Sequence, residues 1–360
     1  MKKDSKKIQI KAKNTVRTVE NTSEMRQHIA DWHSWACEMA KFPTGSGAAA
    51  KLSHTENGRH ITHLLMRMLA VMIMRRAGLV PESIFTPDCL DGILMRFNPD
   101  SAESGDYYNA ILQNLFFAAF GRKPEERSFT DGRNSSLEYG INTMFRDDSR
   151  KTFFRINYNE FIEIFKDVPC VIGGLFECQD CFEGKAANIK AYSDGFSRES
   201  SRRAFVPNVL FFQKCKDGHE GIINILERHF SVFDGKSVNS DRIEEKLKTA
   251  IDAITQDCSP TEQDRKELFA LVNLVLKTEN AGAEGKNHVS NVIIALKPEE
   301  NVNPSRPSDG KSIQAYNKTA RLKAELSVLH DKIRTARNAW QSRHFRIRHS
   351  QLMYSISSEQ

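Results

Sequence analysis

The sequence predicts a mainly α-helical protein, with a multi-helical core, long loops and a basic, coiled-coil-like helix at the C-terminus. Three observations lead there. Ile61, Leu64, Leu65, Met68, Leu69 and Met72 recur at the i, i+3, i+4, i+7 interval of a helix face. Tyr108, Ile111, Leu112, Leu115, Phe116 and Ala119 form a second such stripe between Asp106 and Gly121. Near the C-terminus, Leu322, Leu326, Leu329, Ile333, Ala336 and Trp340 alternate at spacings of four and three, as on a helix lying along a partner helix.

Residues 1–22 are polar, lysine-rich and without apolar periodicity, the composition of a disordered tail. A first helix is expected after Ser23, where Met25, Ile29, Trp32, Ala36 and Met39 stand near helical spacing, and Pro43-Thr-Gly-Ser-Gly47 ends it. The helix over about 60–77 gains Met66, Ala70, Val71, Ile73 and Met74, so it is apolar on most sides and belongs at the centre of the core. Gly78 suits the position just past its C-cap. Pro87 to Phe97 gives a short helix, and the helix from Asp106 follows. Residues 122–156 are polar and arginine-rich, which predicts a long surface excursion or loop.

Asn159 to Phe165 resumes a short helix that leads into Phe165-Lys-Asp-Val-Pro-Cys-Val-Ile-Gly-Gly-Leu-Phe-Glu177. Two adjacent glycines in an apolar run, set off by Pro169, describe backbone held between buried elements, so Pro169, Gly173, Gly174 and Phe176 are a structural motif. Residues 183–204 are polar, Val206 to Phe212 is a compact apolar segment, and Ile222 to Leu226 begins a further element. Two helices follow, at about Asp241–Thr255 and Thr261–Thr278, with a short strand over Val289–Leu296. The expected domains are a helical body over 23–235, a small helical region over 236–300, a linker over 301–311 holding Pro304 and Pro307, and a basic amphipathic helix over 312–360.

The composition, 39% hydrophobic and 27% charged, is that of an ordinary soluble chain. The most apolar window, Ile61 to Met74, is too short to span a bilayer and is interrupted by Arg67, and the lysine-rich start leads into polar residues rather than a signal-peptide core. Seven cysteines without framework spacing suit reduced thiols, so a cytoplasmic location is expected. The net charge of +6 is unevenly spread. Residues 1–13 hold six lysines against Asp4, and residues 321–349 hold eight lysines and arginines against Glu325 and Asp331. Basic ends on an acidic body suit contact with a polyanion such as DNA, or a solubilising tail and a solvated helix. The binding residues would be Lys323, Arg334, Arg337, Arg343, Arg346 and Arg348, making salt-sensitive phosphate contacts with little sequence information. The apolar seam over residues 322–340 suits a helical hairpin or a homodimer equally.

Other patterns point to chemistry less well. Pro43-Thr-Gly-Ser-Gly47 follows a helix rather than the strand that a nucleotide-binding glycine loop requires, so it reads as an interhelical turn. Cys178, Cys181, Cys215 and His219 include zinc-ligand types, but their second half is loosely spaced, and unliganded thiols are the default. Asp180, Glu183 and Lys185 resemble a nuclease carboxylate–lysine set, yet the stretch contains glycine and lacks a strand pattern. His60 and His63 share a helix face without a third donor. No metal and no cofactor is therefore expected.

Several segments resemble one family in matching order: Asn109-Ala-Ile-Leu-Gln-Asn-Leu-Phe-Phe-Ala118, Phe165 to Glu177, Asp194-Gly-Phe-Ser-Arg198, Arg203-Ala-Phe-Val-Pro207 and Gly221-Ile-Ile-Asn-Ile-Leu226. The family is the large bacterial restriction–modification polypeptides that fuse a DNA adenine methyltransferase to other modules, including methylases of phage-exclusion systems. The resemblance covers about residues 55–235, with Leu64 to Phe85 included, and implies a mostly helical region ahead of the methyltransferase core. It assigns no catalytic role to these residues.

The family's catalytic motif is Asn-Pro-Pro followed by an aromatic residue, which grips a flipped adenine. This chain has Asn98-Pro99-Asp100 and Asn303-Pro304-Ser305 instead, and no S-adenosylmethionine loop follows residue 235. The resemblance thus implies a non-catalytic helical module of a restriction–modification or phage-defence methyltransferase, binding DNA or a methyltransferase or restriction subunit, with S-adenosylmethionine entering only through a partner. A truncated or split methyltransferase that needs a second polypeptide, a helical interaction protein pairing through residues 322–340, and the metal-dependent nuclease remain as alternatives.

Overall fold

A computed structural model describes residues 22–43, 54–130, 144–172, 174–178, 180–183, 189–191, 194–198, 200–216, 218–230, 240–280 and 294–295. The chain divides into two units, Met1–Leu296 and Lys297–Gln360. The expected basic tail, the linker and the C-terminal helix, with its proposed DNA-binding residues and its 322–340 seam, lie outside the described residues, as does most of the glycine turn after Pro43.

The described part is mainly helical. Helix α1 (residues 22–39) turns Met25, Ile29, Trp32 and Ala36 into the core. Helix α2 (His54–Arg76) starts about two turns before the apolar periodicity, which begins at Ile61. From Leu64 to Met74 every residue is buried, which is the outcome its all-round apolar sequence predicts. The helix stops at Gly78, whose φ of 71° lets its N–H reach the Arg75 carbonyl at 2.9 Å while Leu79 N–H reaches that of Met74 at 2.9 Å.

Helix α3 (Pro87–Ile93) ends earlier than its apolar pattern, because Leu94 leaves the helix to bridge Phe154. Residues 106–119 are helical as expected but wound as two π-helical segments, Tyr107–Leu112 and Asn114–Ala119. Gln113 N–H donates to Tyr108 O and Phe120 N–H to Leu115 O, both five residues back. The wider winding replaces a single apolar stripe with burial of every residue from Tyr107 to Phe120.

The expectation of a surface excursion is corrected for 122–130 and 144–156, the described part of that stretch. Phe145, Phe153 and Phe154 are buried in the core, and Arg127, Arg146 and Asp147 are buried with them. Arg127 accounts for its own burial by donating to the carbonyls of Ala119 at 2.7 Å, Val168 at 2.6 Å and Phe165. Helix α4 (Tyr158–Ile164) begins with a capping box between Asn157 and Glu160. The double-glycine motif then supplies strand β1 (Val171–Ile172) and a tight 3-10 turn over Gly174–Phe176. The stretch after Asp180 does form strands: β2 (Cys181–Glu183) pairs antiparallel with β3 (Ile189–Ala191), which corrects the absence of a strand read from its glycine.

Helices α5 (Val209–Phe212) and α6 (Ile222–Phe230) pack together, and Gly221 makes this possible: a Cβ there would stand 2.5 Å from the Phe211 carbonyl. Helices α7 (Ser240–Ile251) and α8 (Glu262–Asn280) form close to their expected bounds. The main partner of α8 is α2, so Leu268, Leu271 and Val275 continue the core of the body. Strand β4 (Ile294–Ala295) falls inside the predicted strand and pairs in parallel with β1, Val171 opposite Ile294 and Ile172 opposite Ala295.

Candidate functional site

Arg67 sits in the middle of α2 with 2% of its side chain exposed. A charge there must find partners, because stripping a guanidinium of water costs several kcal/mol. Its Nη1 donates to Asp194 Oδ1 at 2.9 Å, its Nε to the Leu175 carbonyl at 2.8 Å and its Nη2 to the Glu177 carbonyl at 3.4 Å. The guanidinium also lies 4.8 Å from the centre of the Phe117 ring. One side chain thus ties α2 to the end of the double-glycine motif and to the Asp194–Arg198 segment.

Asp180 completes this hub. Its carboxylate accepts the backbone N–H groups of Asp194 at 2.8 Å, Gly195 at 3.0 Å and Phe196 at 2.7 Å, which fixes the turn that carries Asp194. Gly195 holds φ at +61°, and a Cβ on it would meet Ala204 N at 2.3 Å. Burial, with the neighbouring Asp194 carboxylate, pushes Asp180 up to about 6 against the pull of those N–H groups. The π-helix closes the arrangement: Gln113 Nε2 donates to Asp194 O at 2.8 Å, and Asn114 exchanges hydrogen bonds with the Arg146 backbone. Arg67, Asp180 and Asp194 are buried and committed to one another and to backbone groups, so the chemistry of the hub is positioning.

An open cleft of about 530 Å³ lies elsewhere on the body. One wall is the 101–106 loop, pinned by Asn208, whose N–H reaches Ser104 O at 2.8 Å and whose side-chain oxygen accepts Tyr107 N–H at 3.1 Å. Another is the 147–151 turn, in which Asp148 accepts Arg150 N–H and the Ser200 hydroxyl, each at 2.8 Å. Those bonds, with Arg203 nearby, hold the Asp148 carboxyl below the usual range despite its burial. Arg203 forms the floor, 4% exposed, donating to Asp147 O at 2.8 Å and lying 4.8 Å from the Phe153 ring centre. Burial lowers its guanidinium to about 10. Arg203 Nε stands 3.7 Å from Asp148 Oδ2 and makes no hydrogen bond; the buried Asn109 Oδ1 makes none either. At the rim Arg96, Arg150 and Lys151 are exposed and form no ion pair among the described residues.

Of the motif, Pro169 is buried, Gly174 takes φ 66°, and Phe176 packs 4.5 Å from Phe120, ring centre to ring centre; Gly173 lies outside the described residues. Asp180 is committed to backbone N–H groups, so the nuclease set loses its first carboxylate, and Lys185 lies outside the described residues. His219 stacks on Trp35 at 4.7 Å, Cys215 is exposed and burial raises the Cys178 thiol, so these three do not form a zinc set. Among the described residues no three His, Cys, Asp or Glu side chains gather as metal ligands. His60 stacks on Phe42 at 4.6 Å and His63 faces Asp264 at 3.6 Å, both packing roles. Sequence reasoning missed the hub and the cleft. The lone arginine inside the apolar Ile61–Met74 window was the available signal for the hub. No family model, curated protein or solved structure matches this chain.

Proposed function

We propose that the chain is a helical scaffold module of a restriction–modification or phage-defence DNA adenine methyltransferase, which holds DNA or a partner subunit through its basic C-terminal segment while another polypeptide supplies catalysis. The observation that supports this reading is the meeting of the resembling segments at Arg67. Phe165–Glu177 presents two carbonyls to it, Asp194–Arg198 presents a carboxylate, and Asn109–Ala118 contributes Phe117 beneath the guanidinium and Gln113 to the Asp194 backbone. The residues that carry the resemblance are therefore spent on joining elements, which is the work of a scaffold. Methyl transfer from labelled S-adenosylmethionine to DNA tests the division of labour. No incorporation is expected with the purified chain alone; incorporation by it would overturn the reading.

A further inference from the structure

We propose that the cleft bounded by Arg96, Arg150, Lys151 and Arg203 is a binding site for a nucleotide, engaged through its phosphate. The proposal is independent of the scaffold reading, since it concerns residues 96–205 and not the C-terminal basic segment.

Charge is the first ground. Four cations line the cleft against three carboxylates, Glu103, Asp106 and Asp148. Asp148 is taken up by its own turn, by Ser200 and by Arg203 at 3.7 Å, and Asp106 faces Lys151, Arg203 and Arg96. Arg96, Arg150 and Lys151 come from two separate segments, project at the rim and have no ion-pair partner among the described residues. Four cations against three carboxylates leave the cleft with a net positive charge, and an anionic group placed among the rim cations gains charge-assisted hydrogen bonds.

The second ground is size and lining. About 530 Å³ is far more than a bare phosphate fills and falls within the range of small-molecule sites. Half-buried Phe205 offers an apolar surface to a flat ring, while Ser104, Ser200 and Glu103 offer partners to ribose hydroxyls. At the floor, Arg203 Nε and Asn109 Oδ1 are one donor and one acceptor without hydrogen bonds. A ligand that reaches them would supply the hydrogen bonds they lack. An anion with a ring, hydroxyls and both hydrogen-bonding senses is a nucleotide.

The same chemistry exists free or at the end of a nucleic-acid strand, so three probes are titrated into the full-length chain by calorimetry: adenosine monophosphate, a 5′-phosphorylated single-stranded DNA decamer, and inorganic phosphate. Saturable, salt-sensitive binding of the first or second, at least tenfold tighter than phosphate, is expected. A decamer that binds tighter and loses that advantage in the cleft variants marks a strand end as the occupant, and a tighter mononucleotide marks the free compound. The Arg150→Ala/Lys151→Ala double variant and, separately, Arg96→Ala should each weaken binding about tenfold or more. Arg26→Ala, an exposed cation on α1, should change it by less than twofold. Because all of these side chains are exposed, the variants should melt with the wild type, and thermal denaturation checks that they do. Absence of binding at millimolar probe, phosphate binding as tightly as the nucleotides, or equal loss in Arg26→Ala and the cleft variants would each overturn the proposal.

Discussion

Arg67 and Asp194, 127 positions apart in sequence, form an ion pair of 2.9 Å whose side chains are 2% and 5% exposed. In such surroundings a pair adds less than its Coulomb energy suggests, because both charges have been stripped of water. Its specificity is high, however, since either partner alone would be a buried unpaired charge. The pair therefore acts as a lock on how α2, the double-glycine motif and the Asp194 turn are joined.

Arg67→Ala should accordingly lower stability by about 3–5 kcal/mol, as removal of one partner of a buried ion pair does. Arg67→Lys should recover little, because one ammonium cannot reproduce a guanidinium that reaches Asp194, Leu175 O and Glu177 O together. Chemical denaturation of the two variants beside the wild type measures this.

Two glycines with positive φ should behave differently. Gly195 has φ +61° and Ala204 N would lie 2.3 Å from a new Cβ, whereas Gly218 has φ +79° with nothing within 4 Å. Gly218→Ala should cost about 1–2 kcal/mol, the left-handed penalty alone. Gly195→Ala adds a backbone clash and should be the more destabilising by a wide margin in the same denaturation experiment.

The crossing of α2 with the turn before α8 depends on Gly58. A Cβ there would stand 2.4 Å from Cys258 Sγ, while Thr62 Oγ1 donates to Cys258 O at 2.8 Å and holds the turn in place. Gly58→Ala should cost about 1–3 kcal/mol through overpacking. Cys258→Ala should rescue part of it by removing the sulfur, so the double variant should be more stable than additivity of the singles allows.

Acid should loosen the contact of α1 with α6. His229 Nε2 and His28 Nδ1 are 3.0 Å apart, and burial, helped by His28, lowers His229 to about 4. The unfolded chain binds that proton near its ordinary value, at 6.5, and the folded chain only near 4. Stability from this group is thus full above about 6.5 and is lost as pH falls towards 4. Urea midpoints measured across that range should fall for the wild type and fall less for His229→Gln, which has no proton to gain.

Helix positions were legible wherever apolar spacing was long and regular, as in α2, α7 and α8, because one buried face leaves a period in the sequence. What could not be read depends on partners far away along the chain. Arg127, Arg146 and Asp147 look like surface charges in a polar stretch, and only the carbonyls of Ala119, Phe165 and Val168 explain the burial of the first. The π winding of 106–119 was hidden for a similar reason: its hydrogen-bond shift leaves the same residues apolar and merely turns them to different sides. The motif at Pro169 was recognisable as tight backbone, since Gly174 needs its positive φ, but nothing local named Arg67 as its partner. The cleft draws Arg96, Arg150, Lys151 and Arg203 from three segments, so no spacing pattern marked it.

The central claim, a scaffold that carries a polyanion-binding end, is tested most directly by the salt dependence of DNA binding. Retention of the full chain on immobilised duplex DNA should fall steeply with salt, and the slope should flatten by about 2–3 when Arg343, Arg346 and Arg348 are replaced together by alanine. Equal slopes for the wild type and the triple variant would contradict it.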